Sequence, residues 1–219
     1  MTTDVERRIA GSFDSRFLRS YTRSKLSTDP VYRAVLERLR ESTAPLYDIG
    51  CGVGLLEFYL RENGVECPIT GIDHDERKIA TANAIGANYI DVHFRIGDAR
   101  DPVPPRSNVV LVDLLHYFTT VEQQQILGRV ADADGDLVLI RDAIRDGTLR
   151  YRITAAQERF SRAIRWLRAE RLNFQTREEV IDPFRARGYR VEVEPMWGRT
   201  PFNNYLFVFR RSGVGTTKR

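Results

Sequence analysis

Lysine is nearly absent from this 219-residue chain: Lys25, Lys78 and Lys218 stand against 31 arginines. Its basic chemistry therefore rests on guanidinium groups, which favour bidentate contact with carboxylates and phosphates over point-charge attraction. The net charge of +4 is too small for the length to mark a nucleic-acid binder by itself. Cysteine is scarce as well. Cys51 and Cys67 are too few for a disulfide framework, and with three histidines no Cys/His cluster has zinc spacing. A protein that needs no metal, in the reducing cytoplasm, is expected. No uncharged apolar run reaches the ~20 residues of a membrane span. The opening MTTDVERRIAGSFDSRF has no apolar core of a secretory signal.

Apolar residues make up 42% of the chain, enough for a sizeable core. Helical spacing over Val5–Leu18 and Pro30–Leu39 predicts two N-terminal helices divided by SKLSTDP, with Asp29 capping a helix that Pro30 begins. From Pro45 onward, apolar runs of strand length alternate with helical stretches. Strands are expected at about 45–49, 68–73, 92–96, 108–113 and 136–141, with helices at about 53–63, 75–86 and 119–131 between them. Such β-α-β alternation predicts a parallel sheet covered by helices on both faces. Residues 141–171 break the pattern and read as one long basic helix. A helix at about 176–187 and strands at about 189–196 and 203–210 follow. Residues 213–219 read as a disordered tail.

The segment Leu46-Tyr47-Asp48-Ile49-Gly50-Cys51-Gly52-Val53-Gly54 ends an apolar strand in a glycine-rich turn before a helix. Glycines there let the backbone turn sharply and let a ligand approach it, and the following helix presents free amides. The dinucleotide fingerprint G-x-G-x-x-G would need glycine at position 55, where Leu55 stands, so a dehydrogenase is disfavoured. Three further acids close successive expected strands: Asp73, Asp98 and Asp113. An acid at the end of the second strand can accept hydrogen bonds from both hydroxyls of a ribose.

The G-x-G-x-G turn preceded by Asp48, followed by the strand-end acids in this order, resembles the class I S-adenosylmethionine-dependent methyltransferases. YTRSKLSTDPVY and LLHYF also resemble methyltransferases of bacterial aryl-polyene pigment pathways. The resemblance implies a Rossmann-like, doubly wound α/β fold with a seven-stranded sheet in the order 3-2-1-4-5-7-6 and its last strand antiparallel. It further implies N-terminal helices over residues 1–44, a methyltransferase domain over 45–212, and a helical lid inserted at about 145–172. S-adenosylmethionine is the implied cofactor. Asp48, Gly50, Gly52 and Gly54 would form its turn, Asp73 and His74 its ribose contacts, Asp98 and Ala99 its adenine contacts, and Asp113 would lie beside the transferable methyl.

Methyl transfer from a sulfonium is an in-line displacement that depends chiefly on alignment, with a base needed only where the acceptor must lose a proton. His116, just past the fourth strand, is the candidate proton acceptor. Tyr21, Tyr117, Trp197, Arg199 and Asn203 are candidate acceptor contacts. O-methylation of a small aromatic or carrier-bound acceptor is the expected chemistry. The N/D-P-P-Y motif of many amino-directed relatives is replaced by Asp113-Leu114-Leu115-His116. Between Arg141 and Arg171, nine arginines face only Asp142, Asp146, Glu158 and Glu170, which would suit an acyl-carrier protein or another acidic partner. The alternatives are an RNA or protein methyltransferase docking through that helix, and a cofactor-binding protein that has lost catalysis. The oligomeric state is not encoded in any of these features.

Overall fold

The structure is a computed structural model and describes residues 3–163, 172–198 and 201–211, with the side chains of 157–163 left aside. The chain divides into two compact units, residues 1–101 with 196–201, and residues 102–195 with 202–219.

The first unit opens with three helices, α1 (Asp4–Gly11), α2 (Arg16–Thr28) and α3 (Val31–Leu39). The single helix expected over Val5–Leu18 is broken. Ser12 closes α1 by donating its amide to Arg8 and Ile9, the buried Phe13 turns inward, and the Ser15 hydroxyl restarts the chain by accepting from the Leu18 amide. The expected divider SKLST is instead helical. The Ser27 and Thr28 hydroxyls donate to the Arg23 and Ser24 carbonyls at 2.7 Å, so these residues stay within α2. Asp29 does cap the next helix, its Oδ1 accepting from the Val31 amide at 3.1 Å.

The same unit carries β1 (Leu46–Ile49), α4 (Leu55–Glu62), β2 (Ile69–Asp73), α5 (Glu76–Gly86) and β3 (Val92–Ile96). The strands are parallel, Leu46 opposite Ile69 and Ile69 opposite Val92. β1 is buried along its whole length, Asp48 included, as befits a strand in a sheet covered on both faces.

The second unit holds β4 (Asn108–Val112), a 3₁₀ turn at Leu115–Tyr117, α6 (Thr120–Asp132), β5 (Leu137–Ala143), α7 (Leu149–Ala163), α8 (Arg177–Arg185), β6 (Tyr189–Pro195) and β7 (Asn204–Arg211). β5 is parallel to β4, while β7 runs antiparallel to both β5 and β6. The seven strands follow the order β3-β2-β1-β4-β5-β7-β6, as expected. The basic stretch is not one helix from residue 141. β5 continues through Ala143, Ile144 bridges Gln175, and α7 begins at Leu149. Strand pairing out to Ala143 opposite Asn204 outweighs the helical spacing of the sequence there. Residues 164–171 and the expected tail at 213–219 lie outside the described residues.

Candidate functional site

In the first unit the glycine turn hangs from β2. The Gly50 and Cys51 amides both donate to the Ile72 carbonyl, at 2.8 and 2.9 Å. Gly52 has a φ of +61° and faces open space, so what it needs there is left-handed backbone freedom. Gly54 has a φ of +81° and a packing reason besides: a Cβ on it would lie 2.6 Å from Phe94 Cζ. The third glycine of the motif thus serves helix–sheet packing directly under the turn.

Asp73, buried at the carboxyl end of β2, points back to this turn. Its Oδ2 accepts from the Gly52 amide at 3.1 Å and from Lys78 Nζ at 3.4 Å, and its Oδ1 accepts from the Asp75 amide at 2.8 Å. The neighbouring His74 is exposed, its Nδ1 3.4 Å from Asp73 Oδ1. After β3, the Asp98 carboxylate is held by its own loop. Arg100 donates from its backbone amide, Nε and Nη2, at 2.8, 2.8 and 2.6 Å. These Arg100 contacts are the main reason the Asp98 carboxyl is held down at about 2. Ala99 beside it is half-buried.

Under the turn lies a pair that sequence reading saw only in part. Asp48 on β1 and Glu57 on α4 are both buried, and their carboxyls lie close enough to share a hydrogen bond. Among the described residues no donor side chain reaches either Glu57 oxygen. Only a proton carried by one of the two acids can bridge them. Burial drives both groups upward, Asp48 to about 7, and the neighbouring Asp73 charge adds to this. Burial also raises the Cys51 thiol well above its ordinary range, which removes it as a nucleophile. A signal for Glu57 was present in the sequence: a lone carboxylate among Leu55, Leu56, Phe58 and Leu60 is costly to bury without a purpose.

In the second unit, Arg141 and Asp142 lie near the end of β5, and each of these neighbours reaches the loop after β4. Arg141, fully buried, pairs with Asp113, a non-glycine residue held at a φ of +55°. Asp142 Oδ1 lies 2.5 Å from His116 Nδ1, and its Oδ2 accepts from the His116 amide at 3.3 Å. His116 is itself buried, its ring 4.1 Å from that of Tyr117 and stacked on Phe174 at 5.5 Å. Neither Arg141 nor Asp142 figured among the expected site residues. A charged dipeptide closing the apolar strand Leu137–Ile140 was the available clue.

The acceptor candidates are dispersed. Tyr21 is exposed on α2 beside Phe17, ring centroids 6.4 Å apart. Trp197 is half-buried in the first unit, next to Gly198, whose space is closed by Pro30 and the Thr28 carbonyl. Asn203 is fully buried in the second unit, its amide donating to the Ile144 carbonyl at 2.8 Å and its backbone N–H to Thr154 Oγ1 at 2.9 Å. Arg199 lies outside the described residues, as do the side chains of Arg159, Arg162, Arg165 and Arg168. Of the nine arginines between Arg141 and Arg171, Arg141 belongs to the strand end and Arg145 donates to the Phe174 carbonyl and to Glu179. Among the described residues no group of three or more His, Cys, Asp or Glu side chains is arranged to hold a metal ion. No described helix is long and apolar enough to cross a membrane.

Residues 46–133 match the family model described as a methyltransferase domain. A curated relative, the carboxy-S-adenosyl-L-methionine synthase of Wolinella succinogenes, is 27% identical over 134 residues, covering 59% of this chain and 56% of its own length. Among solved structures, the magnesium protoporphyrin IX methyltransferase of Synechocystis PCC 6803 with bound S-adenosylhomocysteine has a TM-score of 0.68 at 17% identity, covering 95% of this chain and 94% of that one. Human N-acetylserotonin methyltransferase in complex with S-adenosylmethionine has a TM-score of 0.59 at 19% identity, covering 83% and 51%. At these identities the structural likeness establishes the fold.

Proposed function

We propose that the chain is a class I S-adenosylmethionine-dependent methyltransferase and that it methylates a small-molecule acceptor, at oxygen, on an aromatic or carrier-bound substrate. The observation that carries the cofactor half of this reading is the Asp73 carboxylate, buried at the end of β2 and aimed at the Gly52 amide. The residues present fit the cofactor of the family. Asp73 offers a carboxylate suited to a ribose diol, the open face of Gly52 admits a ligand against the main chain, and the Asp48–Glu57 acids suit a cationic group. When bound, S-adenosylmethionine supplies an activated methyl on a sulfonium. Gly50, Gly52 and Gly54 would shape its turn, His74 would flank Asp73, and Asp98 and Ala99 would meet the adenine once Arg100 yields.

His116, oriented by Asp142, is the proposed proton acceptor for a hydroxyl substrate, with Asp113 beside the transferable group and Tyr117 lining the acceptor. Asp142 fixes the His116 ring by holding Nδ1, which leaves Nε2 as the nitrogen available to take a proton. Residues 1–44 are proposed as a cap and 145–172 as the lid over the acceptor. Phe17 and Tyr21 on α2, and Leu149 and Ile153 on α7, are exposed apolar side chains of the kind such covers use. The small-molecule reading is supported by the named substrates of the structural neighbours, magnesium protoporphyrin IX and N-acetylserotonin. An acidic carrier partner at 145–172 and a cytoplasmic location remain part of the proposal.

The test is single-turnover methyl transfer from labelled S-adenosylmethionine to a panel of phenols, carboxylates and carrier-bound acyl groups, with total RNA as comparison. Labelling of RNA alone would contradict the small-molecule assignment. A second reading follows from the curated relative, a carboxy-S-adenosyl-L-methionine synthase: the chain would modify its bound cofactor in place of transferring the methyl. Carboxylated cofactor, detected by mass spectrometry after incubation with candidate carboxyl donors, would favour it.

A further inference from the structure

Glu57 is fully buried on a helix whose other buried residues at the start are apolar. Among the described residues its two oxygens meet no donor side chain. Its position is enforced from the opposite side by Gly71 on β2, where a Cβ would lie 2.6 Å from Glu57 Oε1 and 2.8 Å from Cys51 Cβ. A side chain at position 71 would therefore expel Glu57 from beneath the turn. The other titratable groups facing the pair are Asp73 from β2 and Cys51 from the turn, and Lys78 from α5 faces Cys51. Lys78 pairs with Asp73 at 3.4 Å, so the cation nearest the three acids is already engaged by one of them. Two acids in an apolar setting cannot both ionise unless a cation is brought to them.

We propose that Glu57 is a positioning residue for the cofactor's cationic end: acting through Asp48, it forms a two-carboxyl seat that holds one proton when empty and releases it to solvent when the cofactor's positive charge arrives. The proposal rests on the cofactor reading above, in which Asp48 lies against the bound cofactor. The O–H bond of the shared carboxyl breaks, its proton passes to buffer, and the pair takes on a full negative charge that faces the ligand's ammonium or sulfonium. No other bond changes. Affinity for the cofactor is thereby tied to pH, and the acid beneath the turn sets the charge of the acid beside the ligand.

The experiment is calorimetric titration of the full chain with S-adenosylmethionine, in phosphate and in Tris, across pH 5.5 to 8.5. In the wild type the difference in heats between the buffers is expected to report release of most of one proton at the acid end. The affinity should rise by up to about tenfold per pH unit until it levels near neutrality. In Glu57→Gln the amide can donate to Asp48 and keep it ionised. That variant should release no proton and should bind with a pH-independent affinity close to the wild-type plateau. Asp48→Asn should also release none and should bind weakly at every pH. A merely structural Glu57 predicts something different, uniform weakening in Glu57→Gln with the wild-type pH slope retained. Binding by the wild type with no proton released, and no pH slope, overturns the proposal alone, whatever the variants do. Absence of binding at every pH overturns the cofactor reading and this proposal with it.

Discussion

Asp142 Oδ1 lies 2.5 Å from His116 Nδ1, and both side chains are buried. The contact joins the end of β5 to the loop after β4 and fixes which ring nitrogen can exchange a proton. Asp142→Ala strands a buried imidazole and its amide, and is expected to cost about 3 kcal/mol in urea unfolding, whereas Asp142→Asn, which keeps an acceptor, should cost about 1 kcal/mol. If His116 is the proton acceptor, His116→Ala will lower turnover far more than cofactor affinity. Undiminished turnover in that variant would leave the pair a structural bolt.

Arg141 is the largest fully buried side chain, and its guanidinium pairs with Asp113 at a φ of +55°. Arg141→Met keeps most of the volume and removes the charge. It should destabilise the protein by about 2 kcal/mol, because Asp113 loses the partner that holds it in a left-handed conformation. Turnover should fall with it. Thermal unfolding and single-turnover rates measured side by side check both effects.

The glycines of the turn should separate by mechanism. Gly52→Ala meets only backbone strain and should cost about 1–2 kcal/mol. Gly54→Ala meets the same strain and also Phe94 at 2.6 Å, so its loss of stability should be clearly larger. Equal melting temperatures for the two variants would contradict the packing role assigned to Gly54.

Stability should fall as pH rises toward neutrality. The folded-state pKa of Asp48 is raised from the ordinary carboxylate range to about 7, so the folded state holds a proton that the unfolded chain has lost. The stabilisation is complete below the unfolded value, near 4, and diminishes as pH climbs to about 7, after which the curve flattens for this group. Urea midpoints at pH 5 and pH 7.5 should differ more in the wild type than in Asp48→Asn, which has no such proton to lose.

Strand positions were legible from short apolar runs such as Val109–Val112, which is buried on both faces, whereas the sheet order came only with the family resemblance. The break at Ser12–Ser15 was not legible, because its cause is tertiary, the burial of Phe13. Nor was the reach of β5 to Ala143, which depends on pairing with β7 far along the chain. Strand-end acids could be picked out one at a time. Their partners Glu57, Arg141 and Asp142 left only weaker clues, a lone acid in an apolar helix and a charged pair in an apolar strand, and their roles show only once the fold brings them to their partners.

The most direct test of the account is calorimetric binding of S-adenosylmethionine to the wild type and to Asp73→Ala at pH 8. The account predicts a dissociation constant of about 10 μM or tighter for the wild type, weakened roughly 100-fold by Asp73→Ala through the loss of two charge-assisted hydrogen bonds to the ribose. No binding by the folded wild type, or equal affinity in the variant, would contradict it.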